Sequence, residues 1–281
     1  MLKKAILLLL ICLLMLPLFA CGETPPPAEP NTPEQPSGNE GGSGNNGGNN
    51  AANEIYDWNF LSGEGLDKDR MTEAEIEERL ERQQLRWEIT YGGVLTLKGV
   101  CTEMMCPTFY DETDQPWRDF TSLQSNDAGD GRPVLRHVRV EPTVMALPDY
   151  AFYNCAELET VTLSTTLSKI PDYCFSGCEA LTSVTGGMGI IEIGEYALSR
   201  CSKLQRLELT ECIAAVGLGA FDKSCDALGT DSATGEEKKL LIHFRGDAAL
   251  WTSVVDAMTE AGNLSTAGNA AFLDAMVLFV G

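Results

Sequence analysis

Three sets of residues have types that can do chemistry, and their spacing decides what they can do. Cys155, Cys178 and Cys201 recur at equal intervals. A tetrahedral zinc site needs ligands converging on one ion from several directions. Residues that return once per repeating unit instead stack in a column, which predicts buried thiols ahead of a metal or a disulfide between neighbours. Cys174 falls where other units have Ala151, Ala197 and Ala220, a column for small buried residues. Cys101 and Cys106 are separated by four residues outside the repeats and form the best disulfide candidate, provided the short loop allows closure. The chain has two histidines, His137 and His243. The repeat register puts both on outward strand positions four coils apart, or about 19 Å at ~4.8 Å per strand, too far to share a proton or a metal. No nucleophile-elbow, Walker or zincin pattern is present, and Asp127–Gly131 lacks the later acidic ligand of a calcium loop and reads as a turn. The expectation is a chain that is not an enzyme and needs no cofactor or metal.

The element that positions these residues is a repeat of 23. One unit runs Ala151-Phe152-Tyr153-Asn154-Cys155, then Leu158, Val161, Leu163, Leu167 and Ile170. The next has Cys174-Phe175, Cys178, Leu181, Val184 and Ile193. The third has Ala197-Leu198, Cys201, Leu204, Leu207, Leu209 and Val216, and a fourth opens at Ala220-Phe221. Run backwards, the register places Leu135, Val138, Val140 and Leu147 in the same columns. In Leu158–Leu163 apolar residues alternate with threonines, as a half-buried strand requires. Leu167 and Ile170 return inward, and Pro171-Asp172-Tyr173 turns the chain into a short helical stretch. One such unit cannot bury its own apolar edges; parallel stacking of neighbours does.

These columns resemble the BspA-type leucine-rich repeats of bacterial surface proteins, with units close to Ala-Phe-x-x-Cys-x-x-Leu-x-x-Val-x-Leu and an Ile-Pro or Ile-Gly turn, here Ile170-Pro171 and Ile193-Gly194. Gly93–Gly99 and Pro116-Trp117 look like the strand and Pro-Trp segment that introduce such arrays, so the resemblance covers about residues 86 to 260. Met188-Gly189 and Leu198 depart from the pattern. The implied fold is an α/β repeat solenoid, a leucine-rich-repeat array of about four to five 23-residue coils with parallel strands. The implied function is adhesion or protein binding at a cell surface.

After Phe221 the next plausible strand is Leu240 to Phe244, about ten residues late, with polar Asp226–Lys238 as a surface loop. Leu250, Trp251, Val254, Val255 and Met258 share one helical face and Phe272–Val280 is apolar, which predicts a C-terminal cap over 247–281. At the other end Thr72-Glu73-Ala74-Glu75 resembles a capping box, with Ile76, Leu80, Gln84 and Trp87 following at helical spacing, which predicts an N-terminal helical cap. Residues 54–134 then form the cap and lead-in, and 135–246 the array.

Ahead of all this, Lys3-Lys4 and the apolar run Ala5–Ala20 form a secretory signal over 1–20, too short to span a bilayer comfortably. Leu18-Phe19-Ala20-Cys21 resembles the bacterial lipobox, implying acylation of Cys21 and a membrane-anchored envelope lipoprotein exposed at the cell surface. A plain signal peptide with Cys21 incidental is the other reading. Residues 21–53 are Pro-rich, then Gly/Asn/Ser-rich, and read as a disordered tether reaching roughly 30 Å. The formal charge is −21. Without residues 1–20 it is 18 basic against 41 acidic residues, or −23, a balance that repels nucleic acid and anionic lipid.

What remains for binding is the outward strand face: His137, Arg139, Thr160, Thr162, Ser183, Thr185, Arg206 and Glu208. It suits a protein or a glycan partner, and its lack of Trp and Tyr weakens the glycan option. Binding through the 226–238 loop is the competing arrangement.

Overall fold

The structure, a computed structural model, describes residues 51–60, 72, 74, 85–102, 106–121, 132–230, 232 and 235–280. The chain divides into Met1–Gly47 and Gly48–Gly281, and everything described belongs to the second unit. The signal segment, Cys21, most of the tether, Asp127–Gly131 and nearly all of the capping-box segment lie outside the described residues.

Alternation of apolar and hydroxyl residues gives the strands their two faces. In β4 (His137–Val140) and β5 (Thr160–Leu163) the second and fourth residues are buried and the first and third face out. The same register continues through β7 (Ser183–Gly186) and β9 (Arg206–Thr210). Partners His137↔Thr160, Thr160↔Ser183 and Ser183↔Arg206 are each 23 residues apart, in parallel. On the opposite edge of the coils the two-residue strands β6 (Lys169–Ile170), β8 (Glu192–Ile193) and β10 (Ala215–Val216) pair in parallel as a second sheet. Leu158, Val161, Leu167, Ile170 and their counterparts fill the space between the sheets.

Before the array come β1 (Ile55–Phe60), β2 (Leu85–Thr90) and β3 (Val94–Gly99), with β1 and β2 and then β2 and β3 antiparallel; β3 pairs β4 in parallel. The expected strand at Gly93–Gly99 thus forms. The expected helix does not reach Trp87, which belongs to β2 and is buried with Ile89. A period of two satisfies the Trp87–Thr90 backbone through β1 and β3, so the helical pattern does not extend to Trp87.

After the array β11 (Leu241–Arg245) joins β9 with Arg206↔Leu241, a step of 35 in place of 23, so the late strand forms one residue beyond the expected span. Helix α1 (Ala248–Ala261) is capped by the Asp247 carboxylate, which accepts from Leu250 N–H at 2.8 Å, and ends at left-handed Gly262. After α2 (Ala270–Leu273), β12 (Met276–Val280) pairs β11 in parallel. The apolar run at 276–280 thus extends the sheet at its C-terminal end. It is an edge strand whose Met276, Leu278, Phe279 and Val280 side chains are exposed.

The coils interlock through their turns. Phe152, Phe175 and Leu198 each donate a backbone N–H at 2.8 Å to the following coil, at Cys174, Ala197 and Ala220. The first coil has no predecessor to donate to its carbonyls, and side chains from the lead-in do so instead. Trp117 Nε1–H donates to Ala151 O at 3.1 Å, and the buried Gln115 amide donates to Tyr153 O and Tyr150 O, both at 2.9 Å. At the far end Phe221 N–H donates to Oδ1 of the buried Asn269 at 3.0 Å, and Gly219 N–H to Ala267 O at 2.9 Å. Asn269 donates in turn to Gly217 O and Ser265 O. Side chains and loop carbonyls thus pair the end-coil groups that have no neighbouring coil to meet.

The left-handed turn residues Tyr150, Tyr173 and Tyr196 have φ of 59°, 55° and 52°. Their rings stack at 4.8 and 5.1 Å, contacts that offset the backbone cost of that conformation. Gly219 takes the fourth position, where a Cβ would lie 2.5 Å from the Tyr196 ring.

Candidate binding face

The cysteine column is buried, as its spacing predicts. Cys178 and Cys201 thiols donate to Phe152 O and Phe175 O of the preceding coil, at 3.1 and 3.2 Å, and Ser224 repeats the contact on Leu198 O. Burial pushes the thiols of Cys155, Cys178 and Cys201 well up, so they remain protonated donors. Burial likewise pushes Cys225 up to about 12. Cys101 and Cys106 are free thiols whose interaction draws Cys101 down and pushes Cys106 well up, and the Cys101 thiol donates to Thr102 O at 3.7 Å.

The two histidines stand on β4 and β11 with three strands between them, so the fold does not bring them together. Each belongs to the outward face instead. One row runs Val94, His137, Thr160, Ser183, Arg206, Leu241, Met276; the next contains Thr96, Arg139, Thr162 and Thr185. His137 Nδ1 and Thr160 Oγ1 are 2.9 Å apart, and the Thr162 and Thr185 hydroxyls 3.5 Å. The centre of the face is therefore a hydroxyl patch bonded along its rows. Arg139 is exposed and, among the described residues, has no carboxylate within ion-pair distance.

Arg206 and Glu208 differ from the others. Arg206 Nη2 and Glu208 Oε1 are 2.5 Å apart, and Glu208 Oε2 accepts from Gly186 N–H at 2.8 Å. Glu208 is thereby occupied holding the end of β7, where Gly186 and Gly187 turn left-handed (φ 79° and 62°). Beyond it the face deepens into a cleft of about 240 Å³ lined by Met188, Arg206, Glu208, Leu209, His243, Arg245 and Val280. Arg245 was not legible as a site residue, because the late strand was placed one residue short of it. Period-two alternation from His243 was the available signal. A second hollow, of about 510 Å³, lies between the turn at Phe221–Asp226, Gly229–Thr230, Glu237–Leu240 and α2. It borders the loop that competes with the strand face.

Residues 134–231 match the family model described as BspA type Leucine rich repeat region (6 copies). The repeat array has the leucine-rich-repeat fold. Among solved structures, a leucine-rich repeat protein from Eubacterium ventriosum is similar at 18% identity over 52% of this chain and 41% of that one, with a TM-score of 0.40. A leucine rich cell surface protein from Faecalibacterium prausnitzii gives 19% over 60% and 40%, with 0.35. A leucine-rich repeat protein from Bacteroides ovatus gives 16% over 58% and 48%, with 0.34. The chain spans less than half the length of each of these proteins. No curated protein matches it. Among the described residues no helix is long and apolar enough to cross a membrane.

Proposed function

We propose that the chain is a lipid-anchored interaction protein of a bacterial cell surface that binds a protein partner across its open strand face and performs no catalysis. The observation that carries this reading is the row structure. Side chains 23 residues apart stand side by side on parallel strands, forming a broad polar surface with cationic ends. Such a surface suits an extended partner and suits bond-making poorly. The BspA-type match supports binding as the general role. Arg139 and Arg206 are cations in a chain of net charge −21 and would orient an acidic group on the partner. His137, Thr160, Thr162, Ser183 and Thr185 supply the hydroxyl and imidazole contacts between them.

Anchoring at Cys21 is the second part of the reading, supported by its place at the end of the apolar run. Cys21→Ser is expected to move the protein from the membrane fraction to the soluble fraction; an intact mass of the membrane-extracted parent that lacks a lipid increment would exclude the lipid. The released Cys21→Ser chain then serves for host-protein and glycan-array screens. For whatever partner is captured, Arg139→Ala with Arg206→Ala is expected to weaken binding about ten-fold or more, while deletion of 226–238 leaves it unchanged. Full affinity in the double variant with loss in the deletion would falsify the strand-face reading.

A further inference from the structure

We propose that the C-terminal end of the strand face holds a carboxylate of an extended acidic peptide, in the cleft where Arg206, His243 and Arg245 meet, with the peptide's apolar side chains against Met276, Leu278 and Val280. The proposal rests on the strand-face reading and names the ligand chemistry of one part of that face.

The register builds the site. Arg206, Leu241 and Met276 stand in one row, Glu208, His243 and Leu278 in the next, and Thr210, Arg245 and Val280 in the third. Cationic and imidazole groups therefore line the cleft on its inner side, and an aliphatic rail borders it on the outer side. The charges cancel only in part, since Arg206 is paired with Glu208 and Arg245 is not paired with it. Glu208 has one oxygen on Arg206 and the other on Gly186 N–H, and no ion pair joins it to Arg245 among the described residues. Arg245 is exposed and has no carboxylate within ion-pair distance among the described residues. Moreover the Arg206 Nε–H is buried and, among the described residues, has no hydrogen-bond partner. An unmet buried donor is costly, and an arriving oxyanion relieves it.

The choice of a peptide over an anionic glycan comes from the rail. Met276 and Leu278 are 61% and 46% exposed, with no polar side chain between them on that face of β12. Among the described residues no strand pairs with the outer edge of β12. An extended peptide can meet both features, with apolar side chains on the rail and its own main chain on the open edge. A saccharide has neither group.

The test uses the full chain carrying Cys21→Ser and three probes: a fluorescent octapeptide alternating leucine and glutamate, its leucine–glutamine counterpart, and a heparin oligosaccharide. The glutamate peptide is expected to bind, the glutamine peptide at least about ten-fold more weakly, and the heparin fragment not at all. Arg245→Ala is expected to lower affinity for the glutamate peptide about ten-fold without changing the melting temperature, since Arg245 makes no ion pair within the described fold. Arg206→Lys, which keeps the charge and removes the Nε–H, is expected to weaken it as well. Equal affinity for the two peptides, unchanged affinity in Arg245→Ala, or no binding at millimolar peptide would each overturn the proposal. Arg245-dependent capture of heparin alone would make the cleft a glycan site. Should the peptide fail while a screened partner still depends on Arg139, the strand-face reading stands and this one falls. If partner binding maps to the 226–238 loop while the peptide binds through Arg245, the reverse holds.

Discussion

Phe175→Ala is expected to destabilise the array by about 3–5 kcal/mol, the usual cost of emptying a buried phenylalanine site. Phe175 has no exposed surface and lies flat on Phe152, with ring centroids 5.4 Å apart and planes 3° from parallel. Its other neighbour in the column is Leu198, not a ring, so truncation leaves Phe152 without a stacking partner on that side. Collapse into the void is opposed by the backbone, because Phe175 N–H is tied to Ala197 O at 2.8 Å and Phe175 O accepts from the Cys201 thiol. Stability in a stacked array is a sum of unit and interface contributions, so an interior cavity weakens two interfaces at once. Amide exchange should accelerate on both sides of Phe175, and chemical denaturation should show the loss. A denaturation midpoint equal to that of the parent would mean that the coil register is wrong.

Trp117→Ala should cost a similar amount, about 3–5 kcal/mol, with a different spatial signature. The indole stacks on Phe152 at 5.0 Å and meets Trp87 and Phe109 edge-on at 6.4 and 6.2 Å. It also satisfies the Ala151 carbonyl, whose counterparts in later coils accept from backbone amides. Removing the donor strands that buried carbonyl, a penalty of about 1–3 kcal/mol by itself. Trp117→Phe keeps most of the packing and loses only the donor, so it should recover everything except that smaller amount. Because the damage is at one end, amide exchange should be fastest between Tyr150 and Cys155 and fall off toward Phe221. Uniform acceleration along the array, or full stability of Trp117→Ala, would refute the role assigned to the indole.

The array was legible because its constraints repeat. Val161, Val184 and Leu207 occupy one column for one reason, so an error in any one unit is corrected by the others. The same redundancy makes the outward rows readable from the sequence. At the two ends nothing repeats. Trp87 fits a helical period with Leu80 and a strand period with Leu85 and Ile89, and only the strands beside it decide. Met276–Val280 is apolar enough for a cover, yet composition does not say which neighbour it meets, and it adds a strand while leaving its own side chains in the open. Gln115 and Asn269 were missed because a polar residue gives no sign of being buried until the orphan carbonyl or amide it serves is known. Arg245 was lost to a one-residue error in the end of an element, the kind of boundary that local pattern fixes least well.

The two ends of the array also speak different chemical languages. Along the turns, amides point toward the C-terminal side, so the front end must be closed by donors, as Trp117 and Gln115 do, and the back end by acceptors, as Ala267 O and Asn269 Oδ1 do. Neither closure depends on how many coils lie between. A unit copied or deleted in whole steps of 23 residues leaves both junctions chemically intact, and changes the length of the outer face by about 4.8 Å each time. Gene duplication can therefore adjust the reach of this surface to its partner without any new solution for the ends, whereas exchanging the two end pieces would set donor against donor.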